Sequence, residues 1–432
     1  MDLNQLLGLA EHNYAGLKAS AHAIAAAEAK LAEAWVSPFF QLNVTSLFSL
    51  VPNVSGHPLL SRDSQLPLSN PWGPMVQVGL QGAIPLWTFG KLGAAREAAR
   101  AGVRASTHKR KQVLARLRSD VRRAYFGLQF ALDTLQMIAE GRAKLESGVA
   151  LLEQRLEQGD SDANVLDRYR LAAALSEVDA RRSEARRLEQ TSRAALTLLT
   201  GLDEITVPDC PLEPIATEPK SLGWHLDMAR THRPDAGMLR TSVEAREAKL
   251  RAERAGYLPD LALTVQASRS HTPGVTNQTN PFVVDPANYN ALGAGLAARW
   301  SLDLWGNHYR VERASRQLAE TRAQAQEALT GISLQIAAER EALLDARRRL
   351  AAWRRGHRDT RKWLVTVAQG YQIGTLQARD LVDSLRAYFT ARFSHLQAIH
   401  DTNSSLARLE QAIGTPIVAD DAWLQTCAPE GP

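Results

Sequence analysis

The stretch Arg155-Leu156-Glu157-Gln158-Gly159 closes one long heptad-patterned run, and Tyr371-Gln372-Ile373-Gly374 closes another about 215 residues later. A second run follows each turn and ends on Gly, at Leu198-Leu199-Thr200-Gly201 and at Leu409-Glu410-Gln411-Ala412-Ile413-Gly414. A pair of alternating segments precedes each long run. The chain states one pattern twice, and self-similarity at a fixed period governs every local reading. It divides as 1–215 and 216–432, each repeat holding a helix, two strands and a long helical hairpin. Such a duplicated object suggests a conduit more readily than a catalyst.

In the first long run Leu114, Leu117, Val121, Ala124, Leu128, Ala131, Leu135 and Ile138 step by three and four, and the register resumes at Leu145, Val149, Leu152 and Leu156. Moved by 215 residues it falls on Ile332, Ile336, Leu343, Ala346, Leu350, Trp353, Leu364, Val367 and Tyr371, with Glu339, His357 and Thr360 as exceptions. A heptad held this long predicts helices packed side by side. Each would span about 68 residues, or about 100 Å at 1.5 Å per residue. Residues 3 to 34 and 221 to 256 read as further helices, the latter reopened by Arg233-Pro234-Asp235, and both are available to cover the upper halves of the long ones.

Ahead of each long helix the period changes to two. Val76, Val78, Leu80, Ile84 and Leu86 alternate with Gln77, Gly79, Gln81 and Ala83, and Leu292, Ala294, Leu296 and Ala298 alternate with small or polar residues. The partner segments agree: Phe40, Leu42, Val44 and Leu261, Leu263, Val265 alternate with Gln41, Asn43 and Ala262, Thr264. One face meets something apolar and the other meets water. An ordinary sheet on a core would need a helix free to cover it, so a barrel in lipid fits better, with strands of about ten residues. Four strands cannot close a water-filled barrel, so several chains must share one. The β part is expected from about 36–87 and 258–304, with Gly90 and Gly306 as strand-to-helix switches.

The chain has 45% hydrophobic and 22% charged residues, the balance of a folded protein. Its 51 basic and 46 acidic residues interleave along helices, and no compact basic patch with aromatics points to nucleic acid. Cys210 and Cys427 are read as two unpaired residues, with a disulfide between them the alternative in an oxidising compartment. No apolar stretch suits a membrane-spanning helix. Met1-Asp2-Leu3-Asn4 enters an amphipathic pattern directly, so a leader, if the protein is exported, lies outside this numbering.

Taken together, the duplication, the Pro38 and Pro259 strand starts, the Gly90 and Gly306 switches, and the hairpin turns at Gly159 and Gly374 resemble the TolC-like outer-membrane efflux proteins over almost the whole chain. The resemblance implies a mainly α fold with a small β part. A trimeric α-helical barrel would join a shared 12-stranded outer-membrane β-barrel, with four strands from each protomer. It implies the exit duct of a tripartite efflux pump or type I secretion system in a Gram-negative bacterium. The implied partners are two further copies of the chain, a periplasmic adaptor, an inner-membrane transporter and outer-membrane lipid. No cofactor, metal or nucleic acid is implied.

The same resemblance places Asp380 and Asp383 where TolC carries its two entrance aspartates, so three copies would form rings of negative charge favouring cations. Read without it, Asp380 is an acid in the first turn of a helix, where the macrodipole favours it. Tyr371 stands at a gating tyrosine. Leu376 and Val165 stand where the linking arginine and its acidic partner would be, which leaves Asp162 or Asp167 as substitutes and predicts a differently wired closed state.

Catalytic motifs are missing: no HExxH, GxSxG, Walker loop or GxGxxG occurs, and His225 and His232 lie seven apart on one helix. The chain is read as no enzyme. The alternatives are a soluble coiled-coil scaffold, which leaves the strands unexplained, and a periplasmic adaptor, which needs one hairpin rather than two.

Overall fold

Heptad spacing carries two helices far past ordinary length in this computed structural model, which describes residues 1–39, 41–56, 71–158, 165–208, 210–218, 220–278, 280–373, 375–419 and 423. The elements run α1 (Leu3–Asn13), α2 (Ala15–Val36), β1 (Gln41–Pro52), β2 (Trp72–Trp87), α3 (Lys91–Glu157), α4 (Val165–Thr200), α5 (Leu222–His232), α6 (Pro234–Ala255), β3 (Asp260–His271), β4 (Tyr289–Arg299), α7 (Leu304–Gln372) and α8 (Ala378–Ile413). α3 has 67 residues and α7 has 69. The chain divides into two compact units: Met1–Ala23, Thr107–Leu239 and Gln326–Pro432 form one, and Ile24–Ser106 with Arg240–Ala325 form the other.

In the first unit the expected seam is the core. Leu117, Val121, Leu128, Ala131, Ile138, Leu145 and Leu152 of α3 are buried, as are Ile336, Leu343, Ala346, Leu364, Val367 and Tyr371 of α7. Leu3 and Leu6 of α1, Leu196 of α4 and Leu406 and Leu409 of α8 close around the α3 side. The three exceptions are polar but placed. Glu339 takes a bond from Arg408 at 3.1 Å, His357 stacks on His395 with ring centroids 5.4 Å apart, and the Thr360 hydroxyl donates to the Gly356 carbonyl. Trp353 departs from the expectation: it is 39% exposed.

A buried ion pair ties α3 to α8. The side chains of Arg122 and Glu410 are only 5% and 4% exposed. The Trp423 ring lies 4.3 Å beneath the guanidinium, and Glu410 also accepts the Ile417 amide at 2.8 Å. Cys427 lies outside the described residues.

Residues 3–34 do not make one helix. Tyr14 is extended (φ −61°, ψ 118°), splitting α1 from α2. The cause is distant: Asn13 donates to the Thr200 carbonyl at 2.8 Å, anchoring α1 on the end of α4.

In the second unit four strands pair antiparallel in the order β1-β2-β3-β4. They have 12, 16, 12 and 11 residues. The register opposes Val44 to Leu80, Gly82 to Val265 and Leu263 to Leu296, so most apolar residues of the four strands share one face, with Leu47 of β1 opposite Gln77 on the other. The other face gathers Asn43, Gln77, Gln81, Thr264 and Gln266, and Gln77 donates to the Tyr289 hydroxyl at 3.0 Å. α6 packs Leu250 on Ala314 and Leu318 of α7 and pairs Arg251 with Glu97 of α3.

Removing one partner of a buried pair strands the other charge. Arg122→Ala is therefore expected to cost about 3–5 kcal/mol in chemical denaturation. Burial depresses His225, His357 and His395 below their ordinary value, helped by Arg340 for the first, Arg392 and Arg361 for the second, and His357 and Arg354 for the third. The unfolded chain then binds more protons below about pH 6.5, so stability falls as the solution is acidified through that value. Denaturation midpoints should be lower at about pH 5.5 than at about pH 7.5, and less so in His225→Gln.

Candidate functional site

Two places in the chain present chemistry that its own core does not use: the bare sheet face and the ends of the hairpins. On the sheet, Phe48, Leu292 and Leu296 are 69%, 84% and 80% exposed. Among the described residues no strand lies beyond β1 or β4, so both edges show unpaired backbone donors and acceptors. Trp35, Trp87, Phe89, Trp300 and Trp305, all exposed, gather at or next to the strand ends where β2 and β4 finish. Arg96 covers the Trp35 ring from 3.9 Å. A bare apolar band ending in amphipathic aromatics is the surface lipid requires. No helix among the described residues is long and apolar enough to cross a membrane.

The two switch glycines act differently. Phe89 (φ 48°) and Gly90 (φ 92°) both turn through the left-handed region, where Gly is at no disadvantage, and Thr88 receives the first amides of α3. Gly306 sits inside the first turn of α7 with an ordinary φ, so the chain has already turned before it. Its role is room: a Cβ there would stand 2.1 Å from Asp303 Oδ2, and Asp303 accepts the Gly306 amide at 2.9 Å.

At the hairpin ends, Gly159, Asp162 and Gly374 lie outside the described residues. Asp167 is held within its own helix by Arg170 at 2.8 Å. Tyr371 is 5% exposed in the last turn of α7. Arg155 of α3 reaches across to it, its guanidinium 4.7 Å over the ring and Nη2 donating to the Tyr371 carbonyl at 3.1 Å. Arg155 therefore links the two hairpins, a role that nothing in its own neighbourhood announced. Leu376 folds back on Gly370, whose carbonyl accepts the Thr375 and Leu376 amides at 2.9 and 3.3 Å.

The paired aspartates divide their work. Asp380, in the first turn of α8, accepts the Gln377 amide at 3.2 Å and so caps the helix. Asp383 is exposed and lies 3.8 Å from Arg379, one turn before it. Arg386, one turn after it, is held by Glu177 at 2.6 Å. Both aspartates are present at the start of α8: Asp380 is half-exposed and capping, whereas Asp383 is exposed and lies between two cations. Above them α3, α4 and α8 line an apolar cleft of about 380 Å³, with Met137, Leu145, Val178, Leu385 and Phe389 in its walls.

Residues 6–202 and 225–415 match the outer membrane efflux protein family. A probable outer membrane lipoprotein, SilC of Salmonella typhimurium, is 26% identical over 274 residues, which is 62% of this chain. The chain spans little more than half, 56%, of that curated relative's length. Among solved structures, CusC superposes with a TM-score of 0.80 at 19% identity, covering 96% of this chain and 92% of that one. The open-state outer membrane channel MtrE of Neisseria gonorrhoeae gives 0.78 at 18% identity, covering 96% and 89%. At such identities the superpositions establish the fold: a mainly helical chain with a four-stranded sheet, shared with these channels. The family match runs through both halves of the sequence, and the chain belongs to the outer membrane efflux protein family.

Proposed function

We propose that three copies of this chain form a passive exit duct in the outer membrane of a Gram-negative bacterium. The observation that carries this reading is the bare four-stranded sheet with two open edges. Three such sheets joined edge to edge would satisfy the unpaired backbone and give the apolar face to lipid. The two repeats, 1–215 and 216–432, would each supply two strands to that barrel and one hairpin to a periplasmic tunnel. A periplasmic adaptor and an inner-membrane transporter would deliver the substrate. The reading assigns no catalytic step.

Within this reading Arg155 and Tyr371 hold the mouth together, in place of the link that Leu376 and Val165 cannot make. Asp162 and Asp167 are secondary: the first falls outside the described residues and the second is engaged by Arg170. Asp380 stabilises α8, and Asp383 would supply the entrance charge, tempered by Arg379 and Arg386.

Membrane fractionation and planar-bilayer recording test the proposal. The expected protein needs detergent for extraction and conducts with a cation preference that Asp383→Ala reduces. A chain released by a salt wash, with no conductance, would instead be a scaffold or adaptor. Arg155→Ala and Tyr371→Ala should each raise the open fraction, by an amount set by a contact worth about 0.5–2 kcal/mol. Because the two side chains share one contact, the effects of the single changes should not add in the double variant.

A further inference from the structure

Several residues of α7 are exposed within the chain, and the α3–α8 contact is a template for what covers them. On that template Glu140 pairs with Arg392, and Phe130 stacks on His400 with centroids 5.3 Å apart. Gly141 leaves room for the Phe389 ring, 2.9 Å from where a Cβ would stand, and Ile138 lies in the same cluster as Phe389 and Phe393.

Burial shows how the elements correspond. Val121, Leu128, Ala131 and Leu152 of α3 match Ile336, Leu343, Ala346 and Val367 of α7, each 215 residues on. Leu171, Ala185, Ser192, Leu196 and Thr200 of α4 match Ser384, Ala398, Ser405, Leu409 and Ile413 of α8, each 213 residues on. Carried through these two offsets, the α3–α8 contact becomes a contact between α7 and α4. The chain's own α4 already lies beside α3, where Asp179 meets Arg142 at 3.3 Å, so the α4 that meets α7 belongs to a second copy.

The side chains at the resulting positions are complementary. Glu140–Arg392 becomes Arg355–Asp179, with the charges exchanged. Phe130–His400 becomes Asp345–Arg187, again of opposite sign. In the template the bulk comes from Phe389 and Phe393 and the space from Gly141. In the derived contact the bulk comes from Trp353 and the space from Ser176 and Ala180. Trp353, Ser176, Asp179, Ala180, Arg187, Asp345 and Arg355 are all exposed within one chain. Arg355 has no ion-pair partner among the described residues. The Arg142–Asp179 pair is a surface contact with side chains 38% and 54% exposed, of the kind that holds little energy and exchanges readily.

We propose that α7 of one copy seats antiparallel on α4 of a second copy, with Trp353 over Ser176 and Ala180 and Arg355 paired with Asp179. This rests on the trimeric duct proposed above and adds its subunit register.

The test uses the full chain with Cys210 and Cys427 replaced by Ser, extracted in detergent, carrying Asp179→Cys with Arg355→Cys. A short bismaleimide should join copies into covalent trimers, about tenfold faster than in the off-register control Asp179→Cys with Arg348→Cys. Equal rates in a protein that is trimeric in detergent would overturn the register and leave the duct standing. An absence of trimers in the uncoupled protein would overturn the duct itself. Charge exchange gives an independent reading: Arg355→Asp should weaken the trimer to heating, and adding Asp179→Arg should restore it. Failure of that restoration, with Arg355→Asp still folded, would contradict the pairing.

Discussion

A sheet with hydrocarbon on one face, amides and small residues on the other, and two open edges is not stable alone in water. That constraint organises the rest of the molecule. Most exposed apolar residues of β1 to β4 lie on one face because the antiparallel register aligns their even and odd positions across all four strands. Covering the face with a helix would demand an apolar helix in the same unit, and α6 instead turns its apolar side to α7. The remaining ways to satisfy the sheet are lipid for the face and other strands for the edges.

The helical unit follows a different rule. Its long helices hold together through a seam repeated every seven residues, and several of the polar groups beside it pack against specific partners. Arg122 meets Glu410 and a Trp423 ring, Glu339 meets Arg408, and His357 meets His395. Burying each costs desolvation, so these groups act as register marks between helices rather than as sources of net stability. Trp353 breaks the rule within one chain and obeys it once a second α4 is supplied.

Much of this was legible in the sequence because it is local and periodic. Alternation by two marked the strands, steps of three and four marked α3 and α7, and glycines marked the repeat ends, where Gly201 and Gly414 do adopt positive φ. What was not legible depends on partners far along the chain. The break at Tyr14 is set by a bond from Asn13 to Thr200, and Arg155 gains its meaning from Tyr371, more than two hundred residues away. Gly306 looked like the twin of Gly90, yet an Asp303 side chain does at one switch what a left-handed glycine does at the other. Asp380 and Asp383 were visible as a pair, whereas the division of labour between them depends on Gln377 and Arg379, whose roles only the folded turn reveals.

In the duct the apolar sheet face lies in lipid and its opposite face in water. Single cysteines along β1, from Leu42 to Leu50, labelled with a fluorophore in reconstituted vesicles, report it directly. A two-residue alternation is expected, with Leu42, Val44, Phe48 and Leu50 quenched from the lipid phase and Asn43, Thr45 and Ser49 quenched from water. Uniform quenching from water along the whole strand would contradict it.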